Sequence, residues 1–137
     1  MTQPAFDDIA ADFAFIDDWD ERYRYLIDLG GQLAPLSDTE RNETNRVRGC
    51  ASQVWLVIER DGDALVLRGD SDAAIVKGLV GLILSLYSGK TPGEILGIDA
   101  EAKLKALDLN DHITPQRANG VVSMIAKIRD TAEAIAN

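Results

Sequence analysis

Cysteine is almost absent: Cys50 is the only thiol in 137 residues. One thiol closes no intramolecular disulfide, which excludes a disulfide-stapled scaffold and leads us to expect a reducing compartment, the cytoplasm. Histidine is equally scarce, with His112 alone. One Cys and one His fall short of a structural zinc site and of a cluster-binding thiolate set, so no metal is expected. Positive charge is outnumbered, with 14 Lys and Arg against 23 Asp and Glu and a net charge of −9. Such a chain repels phosphate backbones, which argues against a nucleic-acid partner. Long hydrophobic runs are missing too. The most apolar stretch, residues 73–87, contains Lys77 and is shorter than the ~20 residues that span a bilayer. It reads as a buried core helix, and no membrane partner is expected. Met1-Thr2-Gln3-Pro4 lacks the basic start of a secretory signal. There is no P-loop and no dinucleotide fingerprint.

The remaining composition is that of one soluble domain over residues 1–137, long enough for a real core. Helical spacing of Ile9, Phe13 and Ile16 predicts a first helix. Trp19, Tyr23, Leu26 and Ile27 predict a second that stops at Gly30-Gly31. Ser37-Asp38-Thr39-Glu40 has the form of a capping box opening a short helical turn. Residues 53–60 and 64–69 alternate as strands around the hairpin signal Asp61-Gly62, and residues 46–48 offer a short third strand. The core helix from about Asp72 contains Gly78-Leu79-Val80-Gly81, a pattern for close helix packing. Helix openings follow at Thr91-Pro92, after Asp99 and at Thr114-Pro115. The last helix carries Ala118, Val121, Val122, Ile125 and Ile128 on its expected apolar face. Helices, a small antiparallel three-stranded sheet, then helices make an α+β domain.

Charge is unevenly spread. Asp7, Asp8, Asp12, Asp17, Asp18, Asp20 and Glu21 all precede the first basic residue, Arg22. Arg41, Arg46 and Arg48 then gather before Cys50. The arginines favour a thiolate, the nucleophilic form of cysteine, although strand alternation can aim Arg46 and Arg48 together away from the sulfur. Gly49 leaves the backbone beside the thiol free to turn or to meet a partner closely. Taken alone, these residues leave two readings open: a nucleophile, or a small buried hydrophobe. Asp70 and Asp72 read as helix caps. His112 reads as an ordinary hydrogen-bonded residue, or as the base of a cysteine hydrolase with Cys50. Arg117 sits in the first turn of a helix, where the dipole disfavours a cation, so an anionic contact is a reason for its presence.

Three blocks, in this order and spacing, resemble the SufE family, including its CsdE branch: Val47-Arg48-Gly49-Cys50-Ala51-Ser52-Gln53-Val54-Trp55, Gly69-Asp70-Ser71-Asp72-Ala73-Ala74-Ile75-Val76-Lys77-Gly78-Leu79 and His112-Ile113-Thr114-Pro115-Gln116-Arg117. The resemblance runs from about Phe13 to Ala134. It implies an IscU-like sheet flanked by helices and a protein that is not a stand-alone enzyme. Cys50 would take persulfide sulfur from a SufS- or CsdA-like cysteine desulfurase, stimulate it, and pass the sulfur to an iron–sulfur scaffold or another acceptor. Pyridoxal phosphate would reside on the desulfurase, and this chain would need no cofactor. Gly49, Ala51, Gln53, Asp70, Asp72, His112 and Arg117 would support the loop or meet the partner. Ala51 and Gln116 depart from the family, where Gln and Ser are common. The alternatives are a CsdE-type acceptor feeding another pathway, or a noncovalent adaptor in which Cys50 is structural.

Overall fold

The computed structural model describes residues 5–136; the signal expectation at residues 1–4 lies outside them. The element order is α1 (Phe6–Phe15), α2 (Trp19–Gly31), β1 (Val54–Asp61), β2 (Ala64–Ser71), α3 (Ala74–Tyr87), α4 (Pro92–Leu96), α5 (Ala100–Lys105), a 3-10 turn (Leu109–Asp111) and α6 (Pro115–Ala136). No described helix is long and apolar enough to cross a membrane.

The core forms around α3. From Val76 to Tyr87 every residue but Lys77 is buried, so this helix is apolar all round because it is surrounded. Helix α2 crosses it at a glycine contact. A Cβ on Gly78 would lie 2.2 Å from the Leu26 carbonyl oxygen, and one on Gly30 would lie 2.6 Å from the Gly78 nitrogen. The glycines expected to allow close packing therefore do so, and the cost of glycine in a helix is offset by that approach. The hairpin packs on α3 through Leu56, Leu65 and Leu67, all buried. Gly62, first of its two loop residues, takes φ 62°, as a II′-type turn requires.

The sheet has two strands, not three. Residues 46–48 have the alternation of a strand but form a single bridge, Arg46 to Trp55. Two backbone bonds flank it, Val47 N–H to Val54 O and Leu56 N–H to Asn45 O, both 2.8 Å. Gly49 then turns the chain away at φ 88°, a value no ladder accommodates. The Ser37–Glu40 capping box forms both reciprocal bonds, Glu40 N–H to Ser37 Oγ at 3.2 Å and Ser37 N–H to Glu40 Oε1 at 3.0 Å, but closes only a turn. Helix α6 begins where expected, with Thr114 Oγ1 accepting from Arg117 N–H at 3.2 Å. Its buried face differs from the expected one: Gly120, Val121, Met124, Ile128 and Ala132 are inside, and Val122 is 65% exposed.

Candidate functional site

Cys50 sits on the loop between the Arg46 bridge and β1, outside every ladder and helix. Both ends of this loop are fastened. Upstream, Lys127 of α6 donates to the carbonyls of Thr44 at 2.9 Å and Arg46 at 3.2 Å. Downstream, Gln53 is held by three bonds: its N–H to Asp72 Oδ1 at 3.0 Å, and its carbonyl accepting from Ser71 Oγ at 2.7 Å and Asp72 N–H at 3.3 Å. Between these anchors Gly49 and Ala51 are exposed and Cys50 is half-buried.

Gly49 meets two demands at once. Its φ of 88° suits glycine, and a Cβ there would lie 2.6 Å from Ser123 Oγ. This placement turns Cys50 onto α6, where the thiol points at the Gly120 carbonyl oxygen at 3.8 Å. A Cβ at Gly120 would approach the sulfur to 3.3 Å, so a side chain there would displace the thiol by a few tenths of an ångström. The sulfur lies in a cleft of about 240 Å³ with an apolar floor of Val76, Leu79 and Met124 and a polar rim including Thr114, Gln116 and Arg117.

Burial pushes the Cys50 thiol above its ordinary value, and the Arg46 charge pulls weakly the other way. Arg46 and Arg48 do point to one side, sharing Glu43 at 3.7 and 2.9 Å. The Gly120 carbonyl oxygen that the thiol faces adds to this preference for the protonated form, because it accepts from a thiol and repels a thiolate.

The other expected residues separate into two groups. Gly49, Ala51, Gln53, Asp72 and Arg117 meet around Cys50 or fasten its loop. Asp72 does so as an acceptor for the Gln53 amide rather than as a helix cap; the N-cap of α3 is Ala73, without a side-chain bond. Asp70 is no cap either. It is buried at the end of β2, where Oδ2 pairs with Arg41 at 3.1 Å and Oδ1 with Lys77 at 3.4 Å while accepting from Ser71 N–H. Arg117 makes no ion pair among the described residues, so its guanidinium remains available at the cleft rim. His112 stands apart. Its ring stacks on Trp19 at 3.8 Å, its carbonyl accepts from the Tyr23 hydroxyl, and it does not line the thiol cleft. That arrangement gives a cysteine hydrolase no base. The sequence reading missed Gly120, Ser123, Met124, Val76 and Leu79. A glycine inside a long helix was the available signal, since Gly120 costs about 1 kcal/mol there relative to alanine unless something needs the space.

Fold and site together define a small α+β domain that presents one thiol on a tethered loop over a helix. The matching family model is SufE, described as an Fe-S metabolism associated domain, over residues 7–132. An uncharacterized SufE-like protein of Rhizobium meliloti is 47% identical over 133 residues, covering 94% of this chain and 95% of the relative. Another, of Rhizobium etli, is 45% identical over 133 residues, covering 94% and 90%. The chain belongs to the SufE family. The solution structure of a hypothetical protein from Thermus thermophilus shares the fold, with TM-score 0.78 at 18% identity and full coverage of both chains. Membership carries the family's general role in sulfur transfer, in which members work with cysteine desulfurases.

Proposed function

We propose that this protein accepts sulfur from a pyridoxal-phosphate cysteine desulfurase onto Cys50 and carries it as a persulfide to iron–sulfur cluster assembly. The observation that supports this most is the placement of the only thiol: sheltered in a cleft, on a loop anchored at both ends but not built into the core. The Cys50 thiolate attacks the terminal sulfur of the desulfurase persulfide. A sulfur–sulfur bond to Cys50 forms, the bond to the partner's cysteine breaks, and the partner leaves as its thiolate. The product is a Cys50 persulfide, with no second thiol in this chain to discharge it as a disulfide. Arg117 at the rim offers the anionic persulfide a charge partner. Shelter at rest slows oxidation toward irreversible sulfinic acid, and a thiol that must stay reduced belongs in the cytoplasm.

The test is desulfurase turnover, read as alanine released from cysteine. Wild-type protein is expected to raise the rate and Cys50→Ser to leave it at the unstimulated level. Full stimulation by Cys50→Ser would make the protein a noncovalent adaptor instead.

A further inference from the structure

Residues 44–47, just ahead of the thiol, lie between β1 and α6, and their backbone is held along both edges. Extended backbone turns the polar groups of successive residues to opposite edges. Asn45 and Val47 face β1, where the Asn45 carbonyl accepts from Leu56 N–H and Val47 N–H donates to the Val54 carbonyl, both at 2.8 Å. Thr44 and Arg46 face away from β1, and no strand lies beyond them among the described residues. The Lys127 ammonium stands there instead, donating to the Thr44 carbonyl at 2.9 Å and the Arg46 carbonyl at 3.2 Å. One side chain serves this edge as a neighbouring strand would.

Three residues of α6 carry the loop along one helix face. Gly120 lies under Cys50, Ser123 under Gly49, and Lys127 under Thr44 and Arg46. Spacings of three and four residues put them in one line. The contacts differ in kind. Gly49 packs on Ser123, and the Cys50 thiol meets the Gly120 carbonyl oxygen only at 3.8 Å. The bonds from Lys127 have a charged donor, which makes them roughly twice as strong as neutral ones. Lys127 is half-buried and makes no ion pair among the described residues, and burial lowers its pKa from the ordinary 10.5. No carboxylate competes with the two carbonyls for the ammonium.

Sulfur exchange requires Cys50 to meet another protein's persulfide, so the half-buried thiol has to leave its cleft. On the carrier reading given above, we propose that Lys127 is a positioning residue for sulfur transfer: its ammonium latches residues 44–46 to α6, keeps Cys50 in the cleft at rest, and lets go when the loop swings out to the desulfurase. The latch makes opening a pre-equilibrium. Every reaction of Cys50 draws on the same small open fraction, so alkylation and engagement of the desulfurase scale with it together.

The experiment compares wild type with Lys127→Met, which keeps the apolar stem and removes the ammonium, and with Lys127→Arg, which restores charged donors for the carbonyls. In the isolated protein, a maleimide is expected to alkylate Cys50 of Lys127→Met at least about threefold faster than wild type, and Lys127→Arg at close to the wild-type rate. With a cysteine desulfurase and cysteine, Lys127→Met is expected to reach half-maximal stimulation at a concentration lower by the same factor, with the saturated rate kept. A lysine that only supports the fold gives no such matched pair of ratios. Wild-type alkylation by Lys127→Met, equally fast alkylation of Lys127→Arg, or a half-maximal concentration that stays put while alkylation quickens would overturn the proposal. No stimulation by wild type would instead strike the carrier reading, and alkylation, which needs no desulfurase, would still decide the latch.

Discussion

At the scale of single residues, the site depends on Gly49, Cys50, Asp72 and Gly120. Asp72 is the clearest departure from local sequence logic. A carboxylate just before a helix reads as a cap, but a partner nineteen residues back along the chain, the Gln53 amide, claims it. Tertiary pairing of this kind leaves no mark in a local pattern. Asp72→Ala should free the downstream end of the loop. Loss of this exposed hydrogen bond at about 1 kcal/mol should let Cys50 react with a maleimide about fivefold faster and lower the unfolding midpoint by a few degrees. The thiol also makes a pH prediction. Burial raises its pKa above the ordinary 9.0 and Arg46 opposes that rise. The alkylation rate should therefore climb with pH to a midpoint above that of a free thiol, and Arg46→Met should move the midpoint higher still. A midpoint below 9.0 in the resting protein would contradict the sheltered geometry.

At the scale of elements, two glycines in helices give opposite expectations. Gly78→Ala drives a Cβ into the Leu26 backbone at 2.2 Å, where neither helix can yield separately. Overpacking of this kind costs about 3 kcal/mol, measurable by urea unfolding. Gly93, in the first turn of α4, has open space around its Cβ position. Gly93→Ala should be neutral or stabilising by up to about 1 kcal/mol. The helices were legible in the sequence because their periodicity, caps and glycine stops are local. The helix opening at Thr91-Pro92 forms, and Thr91 and Glu94 make both reciprocal bonds of a capping box. The absence of a third strand was not legible, because Arg46-Val47-Arg48 alternates like a strand and only the positive φ at Gly49 reveals that pairing ends. The true inner face of α6 was hidden for a related reason. Val122 is apolar but faces an open cleft, while Gly120 is inside with Cys50 packed against it.

At the scale of the whole molecule, the net charge of −9 is organised by a few long-range ion pairs that join loop to sheet. Arg68 of β2 bridges Glu40 of the preceding loop and Glu59 of β1. The Arg68 hydrogen bond and the Ser37 amide hold the Glu40 pKa down to about 2, below its ordinary 4.5. A lowered carboxylate pKa stabilises the fold above the unfolded value, and that contribution fades as pH falls from 4.5 toward 2. Glu40→Gln should flatten the dependence of unfolding free energy on pH across this window, and an unchanged slope would show that the pair is not formed in solution. The proposed sulfur carriage also belongs at this scale, because it is an exchange between this domain and another protein. The most direct measurement is mass spectrometry of the protein after incubation with a cysteine desulfurase and cysteine. Added mass of ~32 Da, one sulfur atom, confined to the Cys50 peptide and removed by a reductant, is the predicted result. An unmodified Cys50 while the desulfurase turns over would contradict it.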